Sequence, residues 1–248
     1  MKITHTHLSQ IALLSFALSV GQPTRAGDGH PAATAHAQVT GVAPDTALRY
    51  LKNGNLRYTK NNLRKDGQGQ ARRVETAKGQ HPHAIVLSCS DSRVPPELVF
   101  DQKLGEIFVV RTAGESLDSM ALASIEYAVE HLGPQLIVVM GHSSCGAVKA
   151  AFETAKAKSS AGSPHLDKLV ADIQPRISGK LDKAPSPSFV EESSMNAMGV
   201  AIDLAERSSI IKAAIGAGKL KVVSALYDLN NGRVSFLGEG PAAKAQAR

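Results

Sequence analysis

Two short segments of this chain concentrate side chains that bind metals or hold protons: Cys89-Ser90-Asp91-Ser92-Arg93 and Gly141-His142-Ser143-Ser144-Cys145-Gly146. Together, Cys89, His142 and Cys145 offer two thiolates and an imidazole. That soft set suits zinc better than magnesium, calcium or manganese. Three protein ligands leave one coordination position for water, as in a catalytic zinc site, whereas a structural site is closed by a fourth Cys or His. In an extended segment residues 89, 91 and 93 point to one side. Asp91 then has two roles open to it: fourth ligand, or partner of Arg93, whose fork binds a carboxylate bidentately and keeps it ionised. Cys145 precedes a helical stretch, where the macrodipole lowers a thiol pKa. Two other readings of the same residues stand at this point. The chain has only two cysteines, so a single disulfide with His142 incidental also fits an exported protein. A purely structural metal is the other.

The elements that must position these residues can be read from the apolar pattern. Four runs rich in β-branched residues are predicted strands: Ala84 to Ser88, Ile107 to Arg111, Leu136 to Met140 and Lys221 to Leu226. They are nearly continuous rather than alternating, which suits a parallel sheet covered on both faces. Both motifs follow a strand directly, at the edge where open α/β sheets bind ligands. A helix capped by Ser116 carries Leu122, Ile125, Val129 and Leu132 and ends at Gly133-Pro134, which makes a βαβ unit. Another begins near Cys145 and runs through Phe152. Upstream, Asp45 is the predicted N-cap of a helical arm with Leu48, Leu51, Leu56 and Tyr58, despite Gly54 in its interior. Residues 157 to 190 are rich in Ser, Pro, Gly and Lys, and read as a surface insertion with one short helix near 166 to 173. A single helical stretch from Val190 to Ile215 leads to the last long strand. Asn230-Asn231-Gly232 then turns a C-terminal hairpin. The expected fold class is α/β, a mainly parallel central sheet flanked by helices.

The flanks read differently. Lys2, an apolar run from Ile11 to Val20 and Thr24-Arg25-Ala26 form the pattern of a secretory signal peptide over residues 1–26. Residues 27–42 are a flexible leader, 43–240 the domain and 241–248 a frayed tail. Export is therefore expected, to the periplasm if the source is a Gram-negative bacterium. No other segment is apolar for long enough to insert stably in a membrane. Loss of Lys2 and Arg25 with the signal peptide lowers the net charge from +6 to +4, and the basic residues are scattered, so no nucleic-acid partner is implied.

The run CSDSRVPPELVF, then IFVVR, IEYAVEHLG and GHSSCGAV resembles the β-class carbonic anhydrases in order and approximate spacing, over roughly Ala43 to Leu237. The resemblance implies reversible hydration of carbon dioxide to bicarbonate, with one Zn2+ per subunit held by Cys89, His142 and Cys145. It implies that Asp91 is a switchable fourth ligand, held off the metal by Arg93 in the active state. It further implies that Gln80 orients substrate, that Phe108, Ala113 and Tyr127 wall the pocket, and that the protein is a homodimer or homotetramer whose pockets are completed across the interface. The chain contains no tryptophan, and Val86 stands where members with a non-catalytic bicarbonate site carry one. Glu115 is a departure: many relatives have Asn at this point. Two alternatives to carbon dioxide hydration are a zinc hydrolase acting on carbonyl sulfide or carbon disulfide, and a non-catalytic exported zinc-binding protein.

Overall fold

The structure is a computed structural model that describes residues 41–240; the expected signal peptide, nearly all of the leader and the tail lie outside the described residues. Helices α1 (Pro44–Thr59) and α2 (Gln70–Thr76) precede β1 (Ala84–Cys89), α3 (Pro96–Val99) and β2 (Ile107–Thr112). A 3-10 turn, Ala113–Glu115, leads to α4 (Ser119–Tyr127), which continues as a π turn to Leu132. Then come β3 (Leu136–His142), α5 (Gly146–Ala157), α6 (Pro164–Ile177), α7 (Val190–Arg207), α8 (Ser209–Gly216), β4 (Lys221–Tyr227) and β5 (Val234–Glu239).

The five strands form one sheet in the order β2-β1-β3-β4-β5. All neighbours run parallel except β4 and β5, the predicted hairpin, which are antiparallel. Every residue of β1 and β3 is buried, because both faces of the sheet are covered. On one face Ala84, Val86, Val138 and Met140 pack with Leu51 of α1, Val148 and Phe152 of α5 and Ile173 of α6. On the other, Ile85, Leu87, Ile137 and Val139 pack with Ile125 of α4, Leu204 of α7 and Ile211 of α8. The alternation along each strand thus divides one apolar run between two cores, at about 1.5–3 kcal/mol per fully buried Val, Ile or Leu.

Several local expectations are corrected. Asp45 does not cap α1; Ala43 occupies that position, Pro44 starts the helix, and Asp45 pairs with Lys221 of β4. Proline at the first helical position needs no amide partner and has its φ already set. The helix runs through Gly54, a position where any Cβ would collide with the carbonyl oxygen of Phe100 and only glycine fits. Asp118, not Ser116, caps α4, accepting from the amides of Met120 and Ala121. Residues 157 to 190 are not a surface insertion: α6 fills much of this stretch and buries Val170, Ile173 and Ile177. The single helix expected from Val190 to Ile215 is two, broken at Ser208, whose side chain caps α8 by accepting from the Ile211 amide. The short helices α2 and α3 were not anticipated.

Candidate metal centre

Connections from β1 run towards β2 on one side, and those from β3 run towards β4 on the other. Neighbouring strands whose chains leave in opposite directions open a crevice at their carboxyl ends. Cys89 is the last residue of β1 and His142 the last of β3, with Ser88 opposite Met140 in the register. Cys145 follows as the N-cap residue of α5. All three side chains are buried, and their candidate ligand atoms lie within 4.8 Å of one another.

The sulfurs of Cys89 and Cys145 are 4.0 Å apart and both are free thiols. They are not joined as a disulfide, whose sulfurs stand about 2.05 Å apart. The separation fits a shared ion, because two sulfurs each about 2.3 Å from a tetrahedral centre stand roughly 3.8 Å apart. His142 Nδ1 lies 2.9 Å from the carbonyl oxygen of Ser143. The proton belongs on Nδ1, and Nε2 presents its lone pair to the cluster. That Nε2 is buried with no hydrogen-bond partner, as expected of an atom shaped for a cation. The donor set, the spacing and the orphaned nitrogen all fit zinc.

The environment treats the two sulfurs differently. Cys89 Sγ accepts from the amides of Gly114 at 3.2 Å and Asp91 at 3.4 Å. In the metal-free chain a proton shared from Cys145 pulls Cys89 well below the usual thiol range, against the cost of burial. The same contact and burial push Cys145 up. The helix-terminus effect expected to favour a Cys145 thiolate is therefore outweighed until a cation occupies the cluster. Burial disfavours the His142 cation, but the adjacent Cys89 sulfur outweighs it, so this pKa is raised.

Asp91 borders the cluster, its Oδ2 3.9 Å from His142 Nε2. Arg93 donates to it three times: Nε and the main-chain amide to Oδ1 at 2.9 Å each, and Nη2 to Oδ2 at 2.7 Å. Hydrogen bonding to Arg93 holds the Asp91 carboxyl far below the usual carboxylate range. The sequence reading missed Arg111, whose guanidinium donates to the carbonyls of Cys89 (3.0 Å) and Asp91 (2.5 Å). It sits on β2, opposite Ser88, and its cationic fork at a strand end was the available signal.

A family model described as carbonic anhydrase matches residues 84–234. Carbonic anhydrase 2 of Mycobacterium tuberculosis is 40% identical over 191 residues, covering 77% of this chain and 91% of that protein. A carbonic anhydrase of Mycolicibacterium smegmatis is also 40% identical, over 194 residues, covering 78% and 93%. The chain belongs to the carbonic anhydrase family. Its fold is that of the β class: a Coccomyxa β-carbonic anhydrase in complex with acetazolamide superposes with a TM-score of 0.59 at 26% identity, covering 66% of this chain and 75% of that one. One of two tetrameric β-carbonic anhydrases from Sordaria macrospora superposes with a TM-score of 0.62 at 24% identity, covering 79% and 100%.

Within this carbonic anhydrase chain the expected pocket residues divide. Ala113 is exposed at the rim, next to Gly114 and its Cys89 contact. Gln80 lies before β1, exposed in a cleft of about 360 Å³ at the amino ends of β1 and β2, the far end of those strands from the metal cluster. Phe108 is four residues back from the end of β2, or roughly 13 Å at the rise of a parallel strand. Tyr127 ends α4, half-exposed, its ring 4.9 Å from that of His131. Gln80 and Phe108 thus lie towards the amino ends of β1 and β2, away from the chain's own metal cluster at their carboxyl ends.

Proposed function

We propose that this carbonic anhydrase catalyses the zinc-dependent, reversible hydration of carbon dioxide to bicarbonate and a proton. The observation that carries the reading is the convergence of Cys89, His142 and Cys145 within 4.8 Å, bordered by a carboxylate tied to Arg93 rather than turned into the cluster. Bound there, zinc supplies the Lewis acidity that lets a water lose its proton near neutral pH, chemistry for which carbonic anhydrase is the reference case.

The chain's own groups do the rest. Cys89, His142 and Cys145 hold the ion, and burial keeps competing solvent ligands away. Asp91, kept ionised by Arg93, accepts a hydrogen bond from the reacting water and so aims its lone pair. Arg111 fixes the main chain on either side of Ser90. Carbon dioxide, with no net dipole, needs an apolar wall and one or two orienting polar groups. Ala113 supplies part of that wall.

Gln80, Phe108 and Tyr127 are proposed to enter from a second subunit. Strand β2 is an edge of the sheet, and its Phe108, Val109 and Val110 are only partly covered. Such an edge in a folded protein calls for a partner. A homodimer, or a tetramer built from dimers, supplies one.

The test is a stopped-flow comparison of carbon dioxide hydration with hydrolysis of carbonyl sulfide and carbon disulfide by the same zinc-quantified preparation. Hydration should dominate. Turnover confined to the sulfur compounds would reassign the substrate while leaving the metal centre in place.

A further inference from the structure

Glu115 and Asn196 are fully buried polar side chains that the proposed chemistry does not use. They lie 81 residues apart in sequence, and Asn196 Nδ2 donates both to Glu115 Oε1 and to the carbonyl oxygen of Gly114, each at 2.8 Å. The turn they clamp is unusual: Gly114 has φ +61° and Glu115 has φ +42°, the second a strained value for a residue with a side chain. Gly114 is the residue whose amide reaches Cys89 Sγ. A Cβ at this position would lie under 3 Å from Ile173 and Ala147, so only glycine lets the turn approach so closely.

The clamp is itself held. Asn196 Oδ1 accepts from Arg176 Nη1 at 3.2 Å, which leaves its Nδ2 facing the turn. Arg176 is anchored by Asp203 at 2.6 Å and Asp172 at 3.1 Å. Its stem lies against Gly199, where any side chain would displace it. Asn196, Gly199 and Asp203 share one face of α7 at helical spacing. The same Asp172 accepts from the amide of Leu117 at 3.1 Å, tying down the exit of the turn. A continuous hydrogen-bonded path thus runs from the Asp172–Arg176–Asp203 cluster through Asn196 and Gly114 to the sulfur of Cys89.

We infer that Asn196, oriented by Arg176 and seconded by Glu115, is a positioning residue of the metal centre that holds the Gly114 amide on the Cys89 sulfur. An amide donor fixes the direction in which the buried sulfur presents its lone pairs and supports its negative charge, so losing it leaves the ligand misplaced and weakens the hold on a cation. The inference rests on the zinc reading and adds a residue on a distant helix.

The test uses full-length protein loaded with zinc or with cobalt(II). Zinc affinity is read by competition with a chromophoric chelator, and ligation by the sulfur-to-cobalt charge-transfer band. Asn196→Ala should keep a native circular dichroism spectrum, bind zinc about tenfold or more weakly and show a displaced band. Glu115→Gln, which keeps an oxygen facing Asn196 Nδ2, should stay close to the parent in both readouts. A folded Asn196→Ala with parental affinity and band overturns the inference. If Asn196→Ala does not fold, Asn196→Asp keeps the shape and the acceptor for Arg176 but loses the donor, and the same two readouts decide. A parent protein with no sulfur-to-cobalt band removes the zinc reading itself, and this inference with it.

Discussion

Both oxygens of Asp91 accept from Arg93, Oδ1 from the main-chain amide and Nε, and Oδ2 from Nη2, and a carboxylate so occupied is held away from the neighbouring cluster. Arg93→Ala should free it to approach the ion and compete with water. Hydration activity is expected to fall roughly tenfold to hundredfold, with the remaining activity displaced to higher pH, where water competes better; an unchanged rate and pH profile would remove the pair from the mechanism. Glu115 titrates in the opposite sense. Burial, reinforced by the Cys89 sulfur, pushes its pKa up to about 8. In metal-free protein the unfolded chain ionises this carboxyl from about pH 4.3 upwards, while the folded chain keeps it neutral to about pH 8. The unfolded state therefore binds fewer protons across that window, and stability declines as pH rises through it. Glu115→Gln should abolish that decline, a difference approaching about 4 kcal/mol by pH 8. Urea unfolding of both metal-free proteins at pH 5 and pH 8 reads it directly, and identical pH slopes would show that the carboxyl ionises without hindrance.

At the scale of elements, α6 changes the picture most. Ile173 is fully buried between the sheet and the site turn, so Ile173→Ala should cost about 2–5 kcal/mol of unfolding free energy. A loss below about 0.5 kcal/mol, the range of surface substitutions, would mean that α6 does not pack as described. The sequence showed only a short helix near 166 to 173, and the reason its full length and its burial were not legible is compositional. Ser, Pro, Gly and Lys dominate residues 157 to 190 on average, while Val170, Ile173 and Ile177 keep a helical spacing within them. Ser163-Pro164, a cap followed by proline, was the overlooked start signal. The strands were legible because each is a continuous apolar run, and the metal cluster because the chain's only two cysteines and a histidine follow or end two of those runs. By contrast, the Arg176–Asn196–Glu115 brace depends on contacts between residues far apart in sequence, and Asn or Arg on a helix ordinarily signals no more than a solvated face. Asp91 and Arg93 fall between these cases: spacing brought them together, but which partner Asp91 takes was visible only in the bonds it makes.

For the whole molecule, the unpaired, partly covered β2 edge and the placement of Gln80 and Phe108 away from their own cluster predict that activity belongs to an assembly. Sedimentation should give a mass of two or four chains, and dilution to monomers should abolish hydration without releasing zinc. A fully active monomer would contradict the shared pocket. The metal centre is tested most directly by titrating zinc into metal-free protein while following the initial rate of carbon dioxide hydration. Activity should be absent at the start, rise linearly and break at one zinc per chain. Hydration no faster than buffer at that ratio, or full activity before any zinc is added, would contradict it.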